Sequence, residues 1–180
     1  MEVSNTEIEG LLVIKPKVYQ DERGYFFESW NRELFKSNGI DVDFLQDNQS
    51  SSSLGVVRGL HFQNPPNTQG KLVRVISGSV LDVAVDLRKK SPTYGRHKSI
   101  ILSGENKIMF WIPPGFAHGF STLENNTIFS YKCSGIYDKK SEGSLLWNDP
   151  DLNIDWKIEN PIVSEKDKKS ERFINFKSRF

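Results

Sequence analysis

The stretch Lys71-Leu72-Val73-Arg74-Val75-Ile76-Ser77-Gly78-Ser79-Val80-Leu81-Asp82-Val83-Ala84-Val85-Asp86-Leu87 decides the fold. Leu81, Val83, Val85 and Leu87 alternate with Asp82, Ala84 and Asp86, a period of two that marks a strand with one buried face. Lys71 to Ile76 reads as the strand before it, and Ser77-Gly78-Ser79 suits the hairpin turn between them. On periodicity alone, Asp82 and Asp86 read as an outward polar face.

The same pattern continues in both directions. Ser99 to Leu102 and Lys107 to Ile112 are strand candidates around Ser103-Gly104-Glu105-Asn106, and Pro113-Pro114-Gly115 must end the second. Thr127 to Cys133 follows an Asn125-Asn126 turn, with Phe129, Tyr131 and Cys133 on one face. Upstream, Asp21-Glu22-Arg23-Gly24 is a turn leading into Tyr25 to Trp30. Asn31 to Asn38 suits a short helix, with Gly39 ending it at the C′ position. Many short strands with Gly/Pro turns predict an all-β sandwich or barrel with a few short helices. The lysine-rich end, from about Ser164 to Phe180, is polar and predicted partly helical. With no repeat, low-complexity tract or linker, residues 1–180 read as a single domain.

Composition narrows the function classes. A net charge of +1 argues against a broad electrostatic grip on nucleic acid. The single cysteine, Cys133, cannot form an internal disulfide. Met1 to Gly10 carries three glutamates and no apolar run, so it is not read as a signal peptide. No apolar stretch approaches the roughly 18 residues of a membrane span. The expected location is the cytoplasm.

The histidines are His61, His97 and His118. Imidazole, with an unperturbed pKa of about 6.5, is the side chain best suited to proton traffic near neutrality. Taken alone, each reads first as a satisfied structural histidine. A metal site needs three or four convergent N, O or S ligands. Here Phe62-Gln63 follows His61, with no His-x-His pair and no nearby glutamate, so no metal and no cofactor is expected. Arg58, Lys71, Tyr131 and Gln46-Asp47-Asn48 stand at unusual places for surface decoration, and periodicity alone leaves their roles open.

Eight segments, in order, carry a resemblance. They are Asp21-Glu22-Arg23-Gly24-Tyr25-Phe26-Phe27-Glu28, Gln46-Asp47-Asn48, Val57-Arg58-Gly59-Leu60-His61-Phe62-Gln63, Gly70-Lys71-Leu72-Val73-Arg74, Trp111-Ile112-Pro113, Gly115-Phe116-Ala117-His118-Gly119-Phe120, Tyr131-Lys132-Cys133 and Ser164-Glu165-Lys166-Asp167. Together they resemble the dTDP-4-dehydrorhamnose 3,5-epimerase family over nearly the whole chain. The resemblance implies a cupin-type jelly roll, a homodimer and metal-independent conversion of dTDP-4-dehydro-6-deoxy-D-glucose to dTDP-4-dehydro-L-rhamnose, without nucleic-acid or membrane partners. It implies His61 as base, Asp167 as the residue that orients it, Lys71 facing the sugar ketone, Tyr131 as acid and Tyr137 stacked on thymine. It maps Arg23, Glu28, Gln46, Asp47, Asn48, Arg58, His118, Glu142 and Lys166 to substrate contacts.

The chemistry fits those residue types. Removing a proton beside a ketone makes an enolate, so a base must sit at the carbon and a positive donor at the oxygen. Inversion then needs an acid on the opposite face, and a phenol with a pKa of about 10 is protonated at neutral pH. Arg58 and His61 are three apart, which a regular strand would point to opposite faces. A bulge at Gly59 is therefore expected. The competing readings are a single-carbon epimerase or ketoisomerase on the same nucleotide sugar, a metal-dependent cupin enzyme, and a non-catalytic sugar-nucleotide binding module.

Overall fold

The computed structural model describes residues 1–180. Its strands are Glu2–Asn5 (β1), Leu12–Lys15 (β2), Tyr19–Asp21 (β3), Gly24–Phe26 (β4), Gln46–Ser52 (β5), Val56–Gln63 (β6) and Lys71–Ser77 (β7). They continue with Ser79–Asp86 (β8), His97–Ser103 (β9), Met109–Ile112 (β10), Phe116–Thr122 (β11), Thr127–Cys133 (β12), Glu142–Ser144 (β13) and Ile162–Val163 (β14). Two short helices, Arg32–Lys36 (α1) and Glu165–Lys168 (α2), and a 3₁₀ turn at Phe173–Asn175 complete the chain. The first sheet runs β1-β2-β10-β7-β12-β5, and the second runs β13-β6-β11-β8-β9. All pairs within these orders are antiparallel, whereas β14 adds to β6 in parallel. The β3–β4 hairpin stands apart from both sheets.

The sheets pack face to face over a shared core. Val73, Val75, Phe110 and Phe129 come from the first sheet, and Val80, Ala84, Leu102, Phe116 and Phe120 from the second. A second apolar layer covers the outer side of the second sheet. There Leu81, Val83 and Val85 meet Leu145, Leu152 and Trp156 of the chain beyond β13. A third layer seats Phe35 and Ile40 against Leu72, Met109 and Trp111. Burying a large apolar side chain of this kind contributes about 1.5–3 kcal/mol.

The outer layer reverses the expected orientation of β8. Alternation alone puts Asp82 and Asp86 outward, yet all eight residues of β8 are buried. The apolar set Leu81, Val83 and Val85 faces the outer layer, so the other set, with Val80, Asp82 and Ala84, points between the sheets. Asp86 is held there by Arg88, Ser91 and Thr93, and Asp82 by His118.

Other elements follow the sequence with shifted ends. Strand β10 starts at Met109 rather than Lys107, because Lys107 takes a left-handed turn conformation with φ 54°. The strand after the Asp21–Gly24 turn stops at Phe26. Asn31 caps α1 by accepting from the Leu34 N–H at 3.1 Å. Gly39, at φ 89°, closes it, with Gly39 N–H donating to Lys36 O and Ile40 N–H to Phe35 O. That is the paired closure a glycine at C′ makes.

Candidate active site

Strand β6 carries the expected irregularity. His61 pairs with His118 of β11 and Arg58 pairs with Phe120, so Gly59 and Leu60 together face the single residue Gly119. This is a bulge, and it brings Arg58 and His61 to one face. Glycine is required on both sides of it. A Cβ on Gly59, whose φ is 137°, would lie 2.6 Å from Gly119 Cα, and one on Gly119 would lie 2.7 Å from Arg58 O.

The bulge sits at the floor of a cavity of about 620 Å³ between the sheets. From β6 and β11 come Arg58, His61 and His118, and from β5, β7 and β12 come Asn48, Lys71 and Tyr131. Strand β14 lies along the start of β6, Ile162 beside Val56 and Val163 beside Val57, and delivers α2 over the bulge. Ser164 caps α2 by accepting from the Asp167 N–H at 3.1 Å. Lys166 and Asp167 thereby reach the cavity wall.

His61 Nε2 and Asp167 Oδ1 are 2.7 Å apart. Asp167 also accepts from the Gly59 N–H at 3.4 Å. Burial pushes the Asp167 carboxyl up, but the bonds from His61, Gly59 and Ser164 outweigh it and hold the group below the usual carboxylate range. A carboxylate there favours the tautomer that donates Nε2–H to it and leaves the Nδ1 lone pair of His61 free. Lys71, half-buried, has its pKa lowered by burial against only partial support from Cys133 and Asp82. Its Nζ lies 5.9 Å from the Tyr131 ring centroid. Burial raises the Tyr131 phenol, with Cys133 adding to the rise and Arg58 opposing it, so the hydroxyl keeps its proton at neutral pH.

A second histidine–carboxylate pair lies beside the first. His118 Nε2 is 2.9 Å from Asp82 Oδ2 and 3.1 Å from Oδ1. Burial lowers the His118 pKa, Asp82 offsets part of this, and Lys71 and His61 lower it further. Sequence reading missed Asp82. The available signal was a charge inside an apolar run, since aspartate is almost never fully buried unless paired.

A smaller chamber of about 130 Å³ adjoins the cavity through Asn48, His61, Lys71 and Tyr131, and adds Gln46, Tyr137 and Glu142. The Tyr137 hydroxyl donates to Glu142 at 3.4 Å, and Lys166 Nζ pairs with Glu142 at 2.6 Å. Three expected contacts are not gathered within this one chain. Asp47 points to the other side of β5 and pairs with Lys132 at 2.7 Å. Arg23 sits on the exposed β3–β4 turn against Asp21, and Glu28 is exposed beside Asn31. No group of three or more His, Cys, Asp or Glu converges as a metal-ligand set, and no helix is long and apolar enough to cross a membrane.

A cupin-like antiparallel sandwich with a histidine–aspartate pair, a phenol and a lysine around one cavity has the groups of an acid–base enzyme. The profile of the dTDP-4-dehydrorhamnose 3,5-epimerase family matches residues 5–175, and the chain belongs to that family. It is 49% identical to the dTDP-4-dehydrorhamnose 3,5-epimerase of Shigella flexneri over 176 residues, 97% of each chain. It is 51% identical to that of Methanothermobacter thermautotrophicus over 166 residues, 91% of this chain and 89% of the relative. The crystal structure of the dTDP-6-deoxy-D-glucose-3,5-epimerase of Legionella pneumophila in complex with dTDP-4-keto-L-rhamnose superposes with a TM-score of 0.94. That pair shares 48% identity and covers 98% of this chain and 94% of the other.

Proposed function

We propose that this chain inverts C3 and C5 of dTDP-4-dehydro-6-deoxy-D-glucose to give dTDP-4-dehydro-L-rhamnose. The observation that carries the reading is the placement of His61 and Tyr131 on facing sheets of one cavity, with Lys71 beside them. His61 Nδ1 takes the proton beside the ketone, and the electron pair moves onto the ketone oxygen. The Lys71 ammonium stabilises that oxyanion in a site where burial strengthens electrostatics. The Tyr131 hydroxyl returns a proton to the opposite face, and solvent reprotonates the phenolate as His61 gives up its proton. Arg58 and Lys166 face the pyrophosphate, and Tyr137 stacks on the thymine. Gln46, Asn48 and Glu142 hold the remaining polar groups of the substrate, His118, held by Asp82, shapes the cavity wall beside them, and Asp47, turned to the far side of β5 against Lys132, makes no contact with it from its own chain.

The test is incubation in heavy water followed by product NMR. The wild type yields product labelled at both carbons, and label at one carbon alone would make it a single-carbon epimerase. Tyr131→Phe keeps the ring and loses the acid. It exchanges substrate hydrogen for deuterium, while epimerisation falls about 10²–10⁴-fold. Full epimerisation by this variant would remove Tyr131 as the acid.

The whole chain acts as one catalytic domain, and the reading makes it a homodimer. The β3–β4 hairpin exposes Tyr19, Tyr25 and Phe26 at 54%, 55% and 66%, and β5 is a sheet edge. Such an edge and such side chains favour cover by a second copy. Arg23 and Glu28, outside their own cavity, then complete the partner's. A sedimentation mass of one chain at full activity would overturn this. With Cys133 unpaired and no membrane-crossing helix, the reading places the enzyme in the cytoplasm.

A further inference from the structure

Tyr137 is half exposed, yet the chain around it is tied down at nearly every peptide. Gln63, the last residue of β6 and 5% exposed, carries most of that restraint. Its Nε2 donates to Ile136 O at 3.3 Å, and its Oε1 accepts from the Asp138 N–H at 2.6 Å. These are the two peptide groups on either side of Tyr137. The remaining Nε2 hydrogen goes to Asn67 O at 2.6 Å. The Tyr137 N–H itself donates to Gln46 Oε1 at 2.8 Å. The peptide between Ile136 and Tyr137 is therefore gripped at its carbonyl by Gln63 and at its N–H by Gln46. On the backbone side, Gln63 also pairs with Glu142, the acceptor of the Tyr137 hydroxyl. The buried amide of Gln63 thus fixes the backbone under the tyrosine, while its main chain pairs with the strand that holds the far end of the ring.

We propose that Gln63 is a positioning residue that presets Tyr137 as the platform for the nucleotide base. The inference rests on the reading of Tyr137 as that platform. Ordering a loop residue opposes binding when it happens on binding, and pre-forming the loop removes that loss from the association step. Gln63 touches no reacting atom. Its effect therefore falls on nucleotide affinity and on KM, and far less on proton transfer at His61 and Tyr131.

The experiment uses Gln63→Met, which keeps length and loses all three hydrogen bonds, with dTDP as the calorimetric probe. The expected result is a Kd for dTDP raised about tenfold, within the range that base–aromatic stacking supplies. KM rises with it, and kcat changes less than about threefold. In a Tyr137→Ala background the same substitution adds less than about twofold, because it acts through the ring that is gone. If Tyr137→Ala binds dTDP as tightly as wild type, the platform reading itself falls. If Tyr137→Ala weakens dTDP but Gln63→Met does not, or if its effect adds in full in the double variant, the positioning role is overturned. Should Gln63→Met fail to fold, Gln63→Glu carries the same cycle. It keeps the acceptor for the Asp138 N–H and faces the two carbonyls with an ionised oxygen instead of a donor.

Discussion

His61–Asp167 and His118–Asp82 use the same atoms, an imidazole Nε2 against a carboxylate at 2.7 and 2.9 Å, and their histidines are register partners across one bulge. Their surroundings differ. The His61 side chain keeps 35% of its surface exposed and its carboxylate 5%, whereas His118 keeps 7% and Asp82 none. His61 can meet a substrate and exchange its proton with solvent. His118 is sealed between the sheets, with Phe129 stacked 6.1 Å away, and its Nε2 is committed to both oxygens of Asp82. The comparison teaches that a histidine–carboxylate pair is defined as a proton carrier by what its second nitrogen can reach. The same pair without access sets shape and charge.

The largest expected effect tests that division directly. His61→Asn abolishes both deuterium exchange and epimerisation, a loss of up to about 10⁴-fold, because no enolate forms. His118→Asn retains exchange at a reduced rate. NMR in heavy water reads both, and wild-type exchange by His61→Asn would end the assignment of His61 as base.

Lys71 sharpens the contrast, since it lies near both pairs but no carboxylate ion-pairs with its ammonium. Its charge is free for an oxyanion. Lys71→Ala is expected to lower kcat about 10²–10³-fold, as loss of one oxyanion donor does, with little change in KM. A raised KM with normal kcat would place Lys71 on the phosphates instead.

The sealed pair carries the larger share of stability. His118→Ala leaves the buried Asp82 side chain without its hydrogen-bond donor, and an unsatisfied buried polar group costs about 1–3 kcal/mol, more if it is charged. His118→Leu combined with Asp82→Leu removes both buried polar groups and costs less than His118→Ala alone. His61→Ala, at the open pair, costs under about 2 kcal/mol. Urea unfolding of the four proteins ranks them, and a cost for His61→Ala equal to that for His118→Ala would erase the distinction between the pairs.

The open pair was more legible in the sequence than the sealed one. The motifs around His61, Lys71, Tyr131 and Asp167 point to positions that the fold brings to one cavity, and the spacing of Arg58 and His61 demanded the bulge found at Gly59. Strand β12 matched its predicted ends because turn residues bound it. Asp82 was hidden because alternation gives two faces without saying which one faces inward. That choice is made by the apolar cover from Leu145, Leu152 and Trp156, some 60 to 75 residues further along the chain. Arg23 and Glu28 mapped to a site that they do not reach within the chain, because strand patterns carry no record of where a hairpin that pairs with neither sheet will stand.

The smallest effect concerns pH. Burial lowers the pKa of His118, so between its folded value and the ordinary value of 6.5 the unfolded chain binds a proton that the folded chain does not. Stability then rises with pH across that window and is lost as pH falls through it. One such proton contributes at most about 1.4 kcal/mol per pH unit. His97, half-buried and lowered mainly by burial, has the same sign in the same window. The carboxylates held low, Asp86 and Asp167 among them, act later. Their stabilisation is complete above the ordinary 3.8 and disappears only as pH falls through their folded values. Urea midpoints measured from pH 7.5 to 3 therefore show two falls. His118→Gln keeps a donor for Asp82 but cannot take up a proton in the unfolded chain. It flattens the first fall, leaves the contribution of His97 within it, and leaves the second unchanged. A first fall of undiminished slope in His118→Gln would mean that the sealed pair does not exclude its proton, and the contrast with His61 would lose its basis.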